Sequence, residues 1–119
     1  MTLSDSFKNN CEKLLQEPEI RFAGILDPMG NLVVGGFRSD VEPLKNEADR
    51  KKLFMEVVLR QRTREEFDYN MGPVEYAAAR RKNVVIMIFP IEKNVLFISA
   101  EKNIEIDPTA KKIIKIMGF

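Results

Sequence analysis

Apolar and polar residues follow one another along this chain in a pattern that predicts both helices and strands. Apolar residues at helical spacing predict a first helix over about Ser4–Gln16 and a long central helix over about Asn46–Glu66. Short apolar runs bounded by turn residues predict strands. The predicted order is α-β-β-α-β-β-β-α, with strands at Ile20–Leu26, Leu32–Phe37, Val74–Arg81, Val84–Phe89 and Val95–Ala100 and a last helix with Asp107 as N-cap and Pro108 at its first position.

The run Val84–Phe89 is apolar at every position. Such a strand needs apolar cover on both faces of its sheet. We therefore expect an α+β three-layer sandwich, in which a five-stranded antiparallel sheet carries the central helix on one face and both terminal helices on the other. The chain has 119 residues, of which 45% are hydrophobic and 31% charged. This length and composition predict a single globular domain over residues 1–119.

The first two predicted strands form the clearest local signal. Between them lies Asp27-Pro28-Met29-Gly30-Asn31, whose residue types are typical of a tight turn. The pair Gly35-Gly36 in the second strand leaves two interpretations open, a β-bulge or the close approach of another backbone. A polar loop containing Pro43 is predicted over Ser39–Lys45, before the central helix.

The composition limits the chemistry. Histidine is absent, which excludes histidine acid–base catalysis, Ser–His and Cys–His nucleophile pairs, and nearly all zinc chemistry. The one cysteine, Cys11, lies on the apolar side of the first helix, where a packed thiol is expected, and it favours a cytoplasmic location. No apolar run is long enough to span a membrane, and the first residues do not resemble a signal peptide.

Acidic residues are numerous, but their spacing matches no calcium-binding loop. We therefore expect no metal, no cofactor and no catalytic residue, and we expect that the protein is not an enzyme. The acidic residues considered for a metal are Asp27, Asp40, Glu42, Glu47 and Asp49, the first of which is explained by its turn.

Three stretches, in this element order, resemble the Roadblock (dynein light chain) family of profilin-like folds. Phe22–Val34 is similar to the opening hairpin of the family, with a D-x-x-G turn at Asp27–Gly30. Met71–Ala77 is similar to the entry into the third strand. Val84–Ser99 is similar to the closing hairpin, with a proline before the turn. The sequence is also similar to short uncharacterised proteins of ammonia-oxidising archaea.

This resemblance implies a function. Roadblock proteins are usually non-enzymatic dimers, and many bind or regulate small Ras-like GTPases or act as adaptors. Their dimers form through the long central helix and the third strand, which joins two sheets into one. The resemblance therefore implies a homodimeric protein–protein interaction module with a GTPase or another protein as partner. This chain departs from the family pattern in its charged segment Ser39–Lys52 and in Arg80-Arg81-Lys82.

The central helix carries six apolar residues in the seven positions from Leu53 to Leu59. At 100° per residue these positions wrap about 240° of the helix. Packing on one sheet needs a stripe only a little wider than about 100°. The excess favours a second buried surface at a subunit interface, and the alternative is a neighbouring loop that covers it. The expected interface residues are Leu53, Phe54, Val57, Val58 and, near the third strand, Tyr76.

Two other functions remain open. A small-ligand sensor resembling PAS or Cache domains would need polar anchors inside an apolar cavity, and the strands offer few beyond Tyr76 and Ser99. A nucleic-acid binder would use a basic patch that forms if the end of the central helix lies near the end of the third strand. Its members would be Arg60, Arg62, Arg64, Arg80, Arg81 and Lys82, with Arg62, Arg80 and Arg81 as the main candidates. The net charge of +1 and the acidic neighbours favour a solvated surface over such a patch.

Overall fold

A computed structural model describes residues 3–40 and 46–119, with side chains from residue 6 onward. The predicted loop at Pro43 and the acidic candidate Glu42 lie outside the described residues. The elements are helix α1 Leu3–Leu15, strands β1 Ile20–Leu26 and β2 Leu32–Phe37, helices α2 Glu47–Glu65 and α3 Asp68–Met71, strands β3 Ala77–Arg80, β4 Val84–Ile91 and β5 Asn94–Glu101, and helix α4 Ile106–Met117.

The five strands form one antiparallel sheet in the order β2-β1-β5-β4-β3. Helix α2 covers one face of this sheet, and α1 and α4 cover the other. The predicted α+β three-layer sandwich is therefore confirmed, and the short α3 is its one addition. Strands β2 and β3 form the two edges of the sheet.

Strand β4 shows why both faces of the sheet need cover. Val85, Met87 and Phe89 are buried with α1 and α4, whereas Ile86 and Ile88 pack toward α2. Successive side chains of a strand point to opposite faces, so an apolar residue at every position gives two apolar cores.

Strand β3 is shorter than predicted. It pairs with β4 from Ala77 opposite Ile88 to Arg80 opposite Val85. Continuing this register toward the N terminus would place Pro90 opposite Glu75, and proline has no N–H to donate to a ladder. Pairing therefore begins only at Ala77.

Of the two predicted helix N-caps, the structure confirms the one at α2 and corrects the one at α4. Asn46 caps α2 as expected, and its Oδ1 accepts a hydrogen bond from the Ala48 N–H at 2.8 Å. The prediction that Asp107 caps the last helix is wrong, because α4 begins at Ile106 with Glu105 as its N-cap. The Asp107 carboxylate instead accepts a hydrogen bond from the Tyr76 hydroxyl.

The close approach of a backbone explains Gly35. Its φ of +98° lies in the left-handed region, and a Cβ built there would lie 2.1 Å from the Ala23 carbonyl oxygen. The irregularity in the β1–β2 register lies elsewhere, between Ile25 and Leu26. Of the two interpretations of the glycine pair, the structure therefore supports close backbone approach.

Candidate interaction surface

The outer edge of β3 has no strand beside it among the described residues. The Arg81 N–H donates to the Val84 carbonyl at 2.9 Å. This hydrogen bond shows which residues of β3 point their backbone groups toward β4 and which point them away. Backbone groups alternate in direction along an antiparallel strand, so those of Ala78 and Arg80 point outward. The side chains of Ala78 and Ala79 are exposed and small. This edge is therefore open to pairing with another strand.

A groove of about 140 Å³ runs between this edge and α2. Its floor is apolar, and Leu53, Val57 and Ile88 contribute to it. Its rim is charged and consists of Glu56, Arg60, Arg64 and Arg81. An open strand edge beside an apolar floor with a mixed-charge rim is the arrangement of a protein-binding surface.

Three of the expected interface residues lie in the core of the single chain. Phe54, Val57 and Val58 are only 6%, 5% and 3% exposed, because they pack against the sheet. Leu53 is half-buried, and like Val57 it lines the groove. Leu53 and Val57 are therefore next to the open edge, whereas Phe54 and Val58 serve the fold.

Tyr76 lies on the other side of the sheet from α2. Its ring packs 5.8 Å from that of Phe89, and its hydroxyl donates to Asp107 in α4. This hydrogen bond raises the pKa of Tyr76 and lowers that of Asp107. Tyr76 therefore ties the entry of β3 to α4 within the chain, and an interface role for it remains a prediction.

A loop accounts for part of the wide apolar wrap of α2. A Cβ built at Gly30 would lie 3.1 Å from the Met55 Cα, so the backbone of the β1–β2 turn packs directly on the helix. Leu59 remains 52% exposed. The alternative of loop cover thus holds for Met55, and the wrap alone does not require a second subunit.

The structure brings together only part of the expected basic patch, because Arg60, Arg64 and Arg81 line the groove whereas Arg62 and Arg80 do not. Arg62 Nη2 donates to the Pro28 carbonyl at 2.6 Å, in the β1–β2 turn. Arg80 Nη2 donates to the Ile104 carbonyl at 2.8 Å, at the opposite end of the sheet. Arg81 is exposed beside the groove. The hydrogen bonds of Arg62 and Arg80 hold the fold, and no continuous basic patch joins them.

Asp27 serves its turn, as expected. Its Oδ1 accepts hydrogen bonds from the backbone N–H of Asn31 at 3.0 Å and of Met29 at 2.8 Å. These bonds, with that of Asn31 strongest, hold the pKa of Asp27 below its ordinary value. Within residues 3–40 and 46–119, no three potential metal-ligating side chains cluster together. In the same ranges, no helix is long and apolar enough to cross a membrane.

Cys11 is a packed thiol, as expected, and is fully buried between α1 and the sheet. Burial, with a smaller contribution from Glu12, raises its pKa from 9.0 to about 11. Unfolding therefore releases a proton between these two pH values, and the folded state loses stability as pH rises through that window.

We expect this loss to reach about 2 kcal/mol near pH 10.5. Urea denaturation at pH 8 and pH 10.5 measures it, and Cys11→Ala is the control because it removes the thiol. An equal alkaline loss in the parent and in Cys11→Ala would contradict the assignment to Cys11.

The sequence analysis did not single out Arg50, and it named Ser99 without predicting which face of the sheet it lies on. Both line a cavity on the α2 side of the sheet, together with Phe54 and Phe97. The sequence does contain the spacing that predicts their positions. Arg50 lies four residues before the core residue Phe54, and Ser99 lies two residues after the core residue Phe97. Helical and strand periods place each of them on an inward side.

This architecture is that of the Roadblock/LC7 domain, as solved structures of low sequence identity show. A Roadblock/LC7 domain from Streptomyces avermitilis is 9% identical, with a TM-score of 0.70 over 93% of this chain and 91% of that one. The gliding protein MglB from Thermus thermophilus is 12% identical, with a TM-score of 0.75 over 98% and 87%. An MglB described as having a tetrameric arrangement is 11% identical, with a TM-score of 0.69 over 99% and 93%.

The chain itself belongs to DUF6659, described as a family of unknown function, whose model matches residues 3–119. A search of curated proteins finds no match. The resemblance to the Roadblock fold is thus confirmed, whereas an archaeal source remains a prediction.

Proposed function

We propose that the protein is a homodimeric protein–protein interaction module whose two subunits meet at the β3 edge and the adjoining groove of α2. The open edge of β3 is the observation that carries the proposal. The edge carries small, uncharged residues at Ala77–Ala79 and a charge only at its end, at Arg80. An exposed edge of small residues is a ready template for strand pairing, and proteins usually protect such edges. A second copy would satisfy the outward backbone groups of Ala78 and Arg80 and would cover the apolar floor at Leu53.

The rim of the groove suits a two-fold partner. A two-fold axis presents the same patch on both subunits, so a self-complementary patch needs both signs of charge. Glu56 supplies the negative charge, and Arg60, Arg64 and Arg81 supply the positive charge. The tetrameric arrangement described for a structurally similar MglB supports self-association of this fold.

The partner that we propose for the dimer is a small Ras-like GTPase, with the protein as its regulator or adaptor in the cytoplasm. The Roadblock/LC7 fold and the resemblance of the sequence to Roadblock proteins support this proposal. The lack of histidine and of any recognisable catalytic pair in the sequence supports a non-enzymatic role. Capture of partners from the source organism, followed by mass spectrometry, tests the GTPase proposal, and repeated capture without any GTPase would contradict it.

Replacement of Ala78 with Pro tests the interface. We expect the parent to be a dimer at micromolar concentration, and we expect the variant to dissociate at least tenfold more readily. Proline removes the outward N–H but leaves the ladder to β4 intact. Sedimentation equilibrium measures the association, and circular dichroism checks the fold.

Ala78→Ser is the matched control for this experiment, because it is similar in size and keeps the N–H. We expect it to dimerise like the parent. A parent that is monomeric would refute the homodimer. A folded Ala78→Pro variant that dimerises as well as Ala78→Ser would move the interface away from the β3 edge.

A further inference from the structure

A second cavity lies between the N-terminal half of α2 and the sheet. Its volume is about 180 Å³. Four phenylalanines line it, namely Phe22, Phe37, Phe54 and Phe97, together with the aliphatic residues Leu53, Val84 and Ile86. Three polar side chains, Arg21, Arg50 and Ser99, also line it. An apolar cavity with a few convergent polar groups is the usual form of a small-molecule site.

The ring geometry suits an aromatic guest. Phe22 meets Phe97 edge to face with ring centroids 5.5 Å apart, and Phe54 meets Phe97 in the same manner at 5.7 Å. Aromatic rings favour such edge-to-face and offset contacts with a further ring. An apolar cavity of about 150 Å³ holds one benzene molecule. A cavity of about 180 Å³ therefore has room for one ring and a small substituent.

The charges around the cavity favour an anion. Of the described residues that line it, Arg21 and Arg50 carry the only charges. Arg21 Nη1 lies 3.4 Å from Glu101 Oε1, but that carboxylate also lies 3.7 Å from Arg38 Nη2. Arg38 is paired with Asp40 as well. Arg21 thus shares its carboxylate partner with a second arginine, and among the described residues no acidic side chain lines the cavity.

We propose that this cavity binds a monocyclic aromatic carboxylate. The ring would lie among the four phenylalanines, and the carboxylate would accept hydrogen bonds from the guanidinium groups of Arg21 and Arg50. Ser99 provides a hydroxyl at the same wall. The cavity borders the β3 groove, because Leu53 and Ile86 line both. Its polar residues Arg21, Arg50 and Ser99 do not line the groove, so variants of these residues test the cavity separately from the homodimer proposal.

Fluorine NMR with 4-fluorobenzoate as the probe tests this site on the full chain. We expect saturable binding in the fluorine spectra. We expect amide shifts of the labelled protein to be concentrated around Phe37 and Ser99, which line this cavity and not the β3 groove. We expect Arg50→Gln to weaken binding about tenfold, because it removes a charge-assisted hydrogen bond. Lys52→Gln is the matched control, since Lys52 is an exposed cation on the same helix that lines neither the cavity nor the β3 groove, and it should bind 4-fluorobenzoate like the parent.

The neutral analogue 4-fluorobenzyl alcohol separates recognition of the carboxylate from filling of the cavity, and we expect it to bind at least tenfold more weakly. Equal binding of the alcohol and the carboxylate would overturn the proposal. So would the absence of saturable binding, or equal weakening by Arg50→Gln and Lys52→Gln. Amide shifts centred on the β3 groove would place the probe elsewhere and would also overturn it.

Discussion

Replacement of Val58 with Glu should lower the free energy of unfolding by about 4 kcal/mol or more. Val58 is 3% exposed and packs with Phe54 and Phe97 in the core between α2 and the sheet. A carboxylate there would be largely removed from water, and Arg62, one turn further along the helix, already donates to the Pro28 carbonyl. Burial of a poorly compensated charge is among the most destabilising changes known. Domains of this kind have a total stability of only about 5–15 kcal/mol. Urea denaturation followed by circular dichroism measures the loss.

The next residue provides the control for this variant. Leu59 is 52% exposed on the same helix, so Leu59→Glu introduces the same charge into water. We expect it to change the free energy of unfolding by less than about 1 kcal/mol. Equal losses in the two variants would contradict the packing of α2 described above. A dimer lost in Val58→Glu would reflect the lost fold, and Ala78→Pro is therefore the better probe of the interface.

Short-range rules were sufficient for most of the fold. The apolar run at Val84–Phe89 required two covered faces, and the residue types of Asp27–Asn31 required a turn. Both effects act within a few residues, so the sequence displays them directly. The start of α4 was misplaced because Asp107 is also a favourable capping residue. A hydrogen bond from Tyr76, 31 residues away, engages its carboxylate instead, and no local pattern reports that contact.

The residues of the candidate surface were harder to predict from the sequence than the fold was. Apolar residues of α2 could be counted, but the count does not tell which of them meet the sheet, a turn or water. Met55 meets the turn at Gly30, Leu59 meets water, and Phe54 and Val58 meet the sheet. The arginines pose the same problem, because Arg62 and Arg80 are separated by the length of the sheet. Such groupings depend on the order of the strands, which short-range patterns do not encode.

Replacement of Gly35 with Ala should cost about 3 kcal/mol or more. A Cβ at Gly35 would lie 2.1 Å from the Ala23 carbonyl oxygen and 2.6 Å from the Gly24 Cα. Both are backbone atoms, so β2 would have to separate from β1. The φ of +98° adds strain for any residue with a Cβ, of the order of 1–3 kcal/mol. The free energy of unfolding from urea denaturation measures the effect.

Gly36→Ala is the neighbouring control. A Cβ at Gly36 would meet no heavy atom within 4 Å, and its φ is not in the positive range. Because alanine reduces the freedom of the unfolded chain, we expect this variant to be unchanged or more stable by up to about 1 kcal/mol. If both variants lowered the free energy of unfolding by similar amounts, the close contact between Gly35 and the β1 backbone would be contradicted. The cavity wall would then be in question too, since Phe37 reaches Phe22, with ring centroids 4.8 Å apart, only through this pairing.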